Sequence, residues 1–490
     1  MILKISKIQV KNLIDTHFHT YVVDDFYPVH SINSSELLTY NRFDLSFKLL
    51  FLDLIDKEGV IAKEVYKSHI KAFSLGKYAE PGNAKKNSIE KYYKDFQKIF
   101  KDIGSNGFSS DKSLIPLSID GSISNGSHRL ASAIINNENI EGIKLKIEND
   151  AYDYNFFYKR GVSEEILDIA ATKFIEYANN VYIAIIWPSA IGHEKEISGI
   201  IKNIVYQKKV KLNYTGAHNL ISQIYHGESW IGSEKDKFSG AMHKLLECFK
   251  TYNPVRVVAF QADNLKDVLI IKEKIRAMFK IGKHSIHITD NKEESVRVSR
   301  ALFNDNSVHM MNHSDPNKYL QVHESILRIK DFASSNNLSY KDFVIDTSMV
   351  LALYGLRAAK DIDLLCNHNN LKDMPSGISL HDDELQYHQL QKSELIYNPN
   401  FYFYFNGLKF ISFDRIFSMK IKRNEPKDIY DCKMMEALIE NNVIKRYRAF
   451  LLQSVLYSQV KARSKIVSFL RFIGIYSTIK SIYILIKSKI

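Results

Sequence analysis

Three groups of residues have the types and spacing to do chemistry on phosphate. The first centres on His287 in the run Ile275 to Glu294, IRAMFKIGKHSIHITDNKEE, with Arg276 near its start. Ser285 to Thr289 alternates polar and apolar, the period of a half-buried strand, and KEESVRVSRALF after it has helical spacing. A histidine at a strand end, just ahead of a helix N-terminus, is placed to meet a phosphate, because free N–H donors and the positive dipole end favour anions there. The competing reading is a histidine satisfied inside a core. The second group is the turn Asn125, Gly126, Ser127, His128 and Arg129, which opens a helix LASAII. Gly126 allows close backbone approach, and Arg129 rides into the first helical turn. Backbone N–H groups with a guanidinium make an anion cradle, each charge-assisted bond contributing about 1.5–3 kcal/mol. The third group is Asp361 and Asp363. Alternation around Ile362 would put both carboxylates on one face of a strand, a spacing suited to a shared Mg²⁺.

These residues need elements to hold them. Ile89, Tyr92, Tyr93, Phe96, Ile99, Phe100 and Ile103 fall on one face of a helix starting near Ser88. LIPLSID reads as a strand ahead of the Gly126 turn. From Val181, VYIAIIWPSA, EISGIIKNIVY, VKLNYT, GAMHKLLECF and PVRVVAFQA read as strand, helix, strand, helix and strand before the His287 run. Phe401 to Phe405 is an aromatic strand best read as core. Near the start, His17 and His19 read as two histidines on one face of an early strand, with a metal pair as the alternative.

Composition narrows the function class. A chain of 490 residues, 45% hydrophobic and 25% charged, is expected to fold as several soluble α+β domains. Residues 1–150, 151–322, 323–440 and 441–490 are the expected units. Ten of the twelve net positive charges lie after Glu440, where no acidic residue occurs, leaving +2 for the body. The basic excess therefore does not imply a nucleic-acid-binding core; it predicts an amphipathic tail suited to an anionic membrane surface. Cys248, Cys366 and Cys432 lack metal-like spacing and point to a reducing cytoplasm. No signal-peptide core and no 18-residue apolar window are seen. A cytoplasmic protein, peripheral at the inner membrane face through its tail, is expected.

Three stretches also resemble known families. The helix after Ser88, the Ile-Pro strand and NGSHRLASAI resemble the ParB/sulfiredoxin fold, whose members include CTP-binding partition proteins and kinases of free serine. The loop lacks the cysteine that sulfiredoxins use. By its place in the kinase branch, Glu80 in AEPGNAKKNS corresponds to the general base. AIIWPSA and IRAMFKIGKHSIHITD resemble nucleoside diphosphate kinase, a ferredoxin-like fold, over roughly 180–320. That match implies His287 as the phosphoryl-carrying histidine and Arg276 as a phosphate ligand, with Trp187 where the family has lysine. KDFVIDTSMVLALYGLRAAKDIDLL and FYFYFNGLKFISFDRIFSMKIKRNEPKDIYD resemble the nucleotidyltransferase fold, with Asp361 and Asp363 as metal ligands, Arg357 just before them, and Lys420, Lys427 and Asp428 downstream.

Together these imply a nucleotide-dependent phosphotransferase using ATP, ADP or CTP with Mg²⁺. It would act on a small hydroxylated precursor or nucleotide sugar, in bacterial surface-polysaccharide assembly. Two alternatives stay open: a non-catalytic, nucleotide-gated ParB-like DNA binder, and a nucleotidyltransferase active only in its C-terminal part.

Overall fold

In the computed structural model, the described residues are 3–79, 87–148, 151–368, 371, 374–477 and 479–481. Four small sheets are embedded among helices, an α+β architecture. Strands β1 (Lys4–Ser6) and β2 (Phe26–Pro28) pair antiparallel at the N-terminal edge. His17 and His19 are not on a strand. Thr16–Tyr21 forms a 3₁₀ turn because the Asp15 side chain accepts from the His17 N–H and caps it.

The second sheet has the order β3 (His30–Asn33), β5 (Asn139–Lys144), β4 (Ile115–Leu117), with β4 parallel to β5. The helix expected near Ser88 runs Ile89–Asn106 and buries Tyr92, Phe96 and Ile103. Phe96 stacks on Phe51 at 5.4 Å, fixing this helix over Asp44–Leu54, whose buried residues include both apolar and polar side chains.

The third sheet is antiparallel throughout, in the order β7 (Ile204–Val210), β8 (Val255–Gln261), β6 (Val181–Ile186), β9 (Ile286–Ile288). Period-two alternation sorts β6 between two cores. Val181, Ile183 and Ile185 join the main apolar core, while Tyr182, Ala184 and Ile186 join a smaller one under helix Leu265–Phe279. Ile286 and Ile288 of β9 also face the smaller core. The same alternation turns His287 to the opposite face, which decides what it can meet.

The last sheet has the order β12 (Ile378–Leu380), β11 (Ile362–Cys366), β10 (Phe343–Asp346), β14 (Leu408–Ile411), β13 (Tyr402–Phe405). The aromatic strand β13 is core, as its pattern suggests: Tyr402, Phe403 and Phe405 are buried. Lys420, Asp428, Asp431, Arg357 and Arg423 form a buried ion-pair network between helices Phe413–Arg423 and Pro426–Ile439, with Lys420 Nζ 2.9 and 2.8 Å from the two carboxylates. Arg357, Lys420 and Asp428 thus brace helices.

One apolar cluster runs without a break from Leu37 to Ala449, so all three segments share a core. Helix Val443–Phe472 follows. Its Ala449 and Gln453 are buried, and Gln453 Nε2 donates to Asp431 Oδ1 at 2.6 Å. Ile444, Tyr447, Leu451, Val455, Ile466 and Phe469 form an exposed stripe on the far side. No helix of the described residues is long and apolar enough to cross a membrane.

Candidate functional site

His287 sits buried at the floor of a cleft of about 940 Å³, within the roughly 300–1,000 Å³ usual for small-molecule sites. Two neighbours hold the ring. Nε2 lies 3.0 Å from Glu294 Oε1, and Nδ1 lies 3.2 Å from the Tyr225 hydroxyl. Glu294 is positioned by the start of helix Lys292–Leu302. Asn291 caps that helix by accepting from the Glu294 N–H at 2.8 Å, and Glu294 Oε2 accepts from the Asp290 N–H at 2.8 Å. Burial alone would raise the Glu294 pKa, but the hydrogen bond and charge of His287 reverse this and hold it below the ordinary carboxylate range. Glu294 is therefore an acceptor, Nε2 carries the proton, and the Nδ1 lone pair is the one turned to Tyr225.

The walls carry both signs, with Glu228, Glu247, Asp290, Glu293 and Glu294 facing five cations. Arg276, Lys244, Lys272, Lys283 and Arg297 all line the cleft. Arg276 donates through Nη1 to Glu273 at 2.8 Å, while its buried Nε has no hydrogen-bond partner among the described residues. The buried Nδ1 of His284 is unpartnered in the same sense. Lys244 lies 5.2 Å over the Tyr225 ring and donates to Lys283 O at 2.8 Å, and burial lowers its pKa. Trp187, which stands in the place of a lysine in the resemblance noted above, is fully buried in the main core, 5.8 Å from Phe249. It does not line the cleft; Lys244 does. An orphaned guanidinium N–H in the same cleft as a positioned imidazole suits an anionic guest.

The Asn125–Arg129 turn stands apart from this cleft. Gly126 caps helix Ser127–Asn136 at φ +86°, and a Cβ there would come within 2.4 Å of Ile115 Cδ1. Only glycine fits. Asn125 Oδ1 accepts from the Gly126 N–H at 2.6 Å. His128 Nε2 is 2.6 Å from the Tyr66 hydroxyl, and its ring meets Phe96 edge-on at 4.6 Å. Arg129 folds under the turn towards Leu114 O at 3.4 Å, where burial lowers its pKa. Ser127 is half-buried at the first position of the helix. Glu80 lies outside the described residues.

The acidic pair occupies a third place. Asp363 is on β11 and Asp361 lies one residue ahead of it, so strand alternation alone does not set the pair. They are gathered instead by two adjacent hydroxyls. Thr347 Oγ1 donates to Asp363 Oδ2 at 2.5 Å, and Ser348 Oγ lies 3.2 Å from Asp361 Oδ1. Ser379 of β12 also donates to Asp363, at 3.2 Å. Thr347 adopts φ 42°, ψ −104°, an outlier for a β-branched residue. Across from Asp363 in register is Asp346, fully buried and paired with His381 at 2.8 Å and His388 at 3.0 Å. Among the described residues, no group of three or more His, Cys, Asp or Glu side chains is arranged to hold a metal ion. Two carboxylates with hydroxyl neighbours still match Mg²⁺, which takes one or two protein carboxylates and completes its shell with water and substrate phosphate.

The structure thus brings His287 and Arg276 into one cleft and leaves Asn125–Arg129 and the Asp361–Asp363 pair outside it. Sequence reasoning missed Glu294, Tyr225, Lys244 and the Asp346–His381–His388 cluster as site components. Only Glu294 had a local signal, the Asn-x-x-Glu that opens its helix. No family model, no curated protein and no solved structure matches the chain.

Proposed function

We propose that this protein is a nucleotide-dependent phosphotransferase whose phosphoryl carrier is His287. The observation that carries the reading is an imidazole held at both nitrogens in a cleft whose wall includes Arg276, with a buried and unpartnered Nε among the described residues, and Lys244. Once the Tyr225 hydroxyl gives up its bond to Nδ1, that nitrogen attacks the γ-phosphorus of a nucleoside triphosphate, the bond to the bridging oxygen breaks, and the nucleoside diphosphate leaves. Glu294 steadies the positive charge that the ring acquires, and Arg276 and Lys244 offset the charge of the moving phosphoryl group. A small hydroxylated acceptor or nucleotide sugar then takes the phosphoryl group from Nδ1, releasing its hydroxyl proton to water. The fold that this reading implies is ferredoxin-like, as in nucleoside diphosphate kinase; the β7-β8-β6-β9 order supports it. The Asn125–Arg129 turn, in a ParB/sulfiredoxin-like segment, is proposed as a second seat for nucleotide phosphates (ATP, ADP or CTP).

A second reading is nucleotidyl transfer at Asp361 and Asp363, in a nucleotidyltransferase-like segment. The strained Thr347 beside the pair favours it, since such strain clusters at functional turns. Mg²⁺ held there would neutralise a triphosphate and polarise its α-phosphorus.

One experiment separates the two. The full chain is incubated with γ- or α-labelled nucleotide. The first reading expects acid-labile γ-label on the protein, absent in His287→Asn and formed about 10²- to 10⁴-fold more slowly in Glu294→Gln, which mis-sets the tautomer. Label that survives His287→Asn defeats it. Transfer of α-label to an acceptor, lost in Asp363→Asn, establishes the second reading instead.

The tail is proposed as a membrane contact. The exposed stripe of Val443–Phe472 is flanked by Lys445, Arg448, Lys461, Arg463 and Lys465, with no acidic residue after Glu440. Sedimentation with anionic vesicles should exceed that with neutral ones at least tenfold and fall in the Leu451→Glu/Phe469→Glu variant; equal partition into both vesicles removes the idea.

A further inference from the structure

Where the three segments meet, a narrow cavity of about 80 Å³ opens between helices Asp44–Leu54 and Glu164–Tyr177, the end of helix Lys292–Leu302, and β14. Its charges do not balance. Lys57, Lys173, Arg300, Lys341 and Lys409 line it against only Asp53 and Glu176. Both carboxylates are already committed. Glu176 meets Lys173 at 2.9 Å, Arg300 at 2.7 Å and Lys341 at 3.3 Å, and Asp53 meets Lys173 at 2.7 Å and Lys57 at 3.4 Å.

Lys409 is the cation left over. It is buried, it donates to the carbonyls of Lys341 at 2.7 Å and of Ile396, and it lies 5.4 and 4.9 Å over the Tyr397 and Tyr402 rings. No carboxylate pairs with it among the described residues. Burial pushes its pKa down to about 7, the mark of a charge held without a counterion. The buried Nε of Arg300 likewise has no hydrogen-bond partner among the described residues.

We propose that this cavity is a binding site for a small oxyanion of the inorganic phosphate or short carboxylate class, held by Lys409, Arg300 and Lys341 at the junction of the three segments. Size decides the class. One water needs about 10–15 Å³ of such space, so 80 Å³ takes a few waters or one tetrahedral oxyanion and excludes a nucleotide. Charge decides the sign, since an anion would neutralise the buried ammonium that the protein leaves unpaired. The site is independent of the His287 cleft, which has none of these residues in its walls.

The test uses hydrogen exchange on the full chain, because other basic sites also attract phosphate and a local readout is required. Inorganic phosphate should slow exchange in peptides spanning 300–304, 341–346 and 396–411, saturably. Lys409→Met should weaken that protection at least tenfold in phosphate concentration. Where Lys409→Met does not fold, Arg300→Gln carries the same expectation. Acetate run in parallel separates a carboxylate from a tetrahedral anion: protection by either keeps the site and names the ligand. Unchanged exchange in those peptides with both anions, or equal protection in the wild type and the folded variant, overturns the proposal and leaves a water-filled cavity.

Discussion

The His287 cleft and the Asp346–Asp363 corner differ in how they seat their charged groups. At the cleft, a guanidinium donor lacks a partner: Arg276 Nε is buried and unpartnered among the described residues, as is the ring Nδ1 of His284. At the corner the carboxylates are all answered, although the buried Nδ1 of His388 is also unpartnered among the described residues. Asp346 meets two histidines, Asp363 accepts from Thr347 and Ser379, and Asp361 from Ser348. A buried donor without a partner costs about 1–3 kcal/mol, a cost that an anion arriving at Arg276 would offset. The corner stores its cost differently, as backbone strain at Thr347.

Stability should separate the two regions most sharply. Asp346→Ala leaves His381 and His388 facing each other without their shared anion, and a loss of about 3–5 kcal/mol is expected from the shift in urea midpoint. His287→Ala, at the floor of an open cleft, should cost about 1 kcal/mol. The pH profile sharpens this. Burial alone would raise Asp346, but His388 and His381 reverse it and hold the carboxyl far below its ordinary range. Burial alone would lower His381, but its bond to Asp346 wins and raises it. The Asp346 contribution is thus complete above about pH 4 and is lost as pH falls through its depressed value. The His381 contribution is complete below about pH 6.5 and is lost as pH rises through its raised value. Asp346→Ala should flatten both limbs. A variant that keeps the wild-type profile would remove the corner from the comparison.

The halves of this contrast were unequally legible in the sequence. Period-two alternation at Ile286, His287 and Ile288 was enough to set the histidine off the small core, and the Asn291 cap was visible three residues before Glu294. The helix from Ile89 and the core strand at Tyr402 were legible for the same reason, since each repeats one local rule. Lys244 and Tyr225 could not be foreseen, because only the packing of helices Tyr214–Ile224 and Ser239–Cys248 on each other sets Lys244 over the Tyr225 ring beside His287. Asp361 shows what alternation leaves out: it lies one residue ahead of the strand, and the hydroxyls that gather the pair come from Thr347 and Ser348, far back in the chain. His381 and His388 lie thirty-five and forty-two positions from Asp346, and nothing local marks them as its partners.

The smallest effect tests the strain itself. Thr347→Ala and Thr347→Gly both lose the hydroxyl that holds Asp363, so their difference isolates the backbone. Alanine keeps a Cβ at φ 42°, whereas glycine enters that region freely. Thr347→Gly should therefore be about 1–2 kcal/mol more stable than Thr347→Ala by urea denaturation, although glycine ordinarily costs more than alanine in the chain. Thr347→Ser retains the hydroxyl and should stay close to the wild type. If alanine proves as stable as glycine, Thr347 is relaxed. The corner then lacks the stored strain that distinguishes it, and the case for nucleotidyl transfer rests on the carboxylate pair alone.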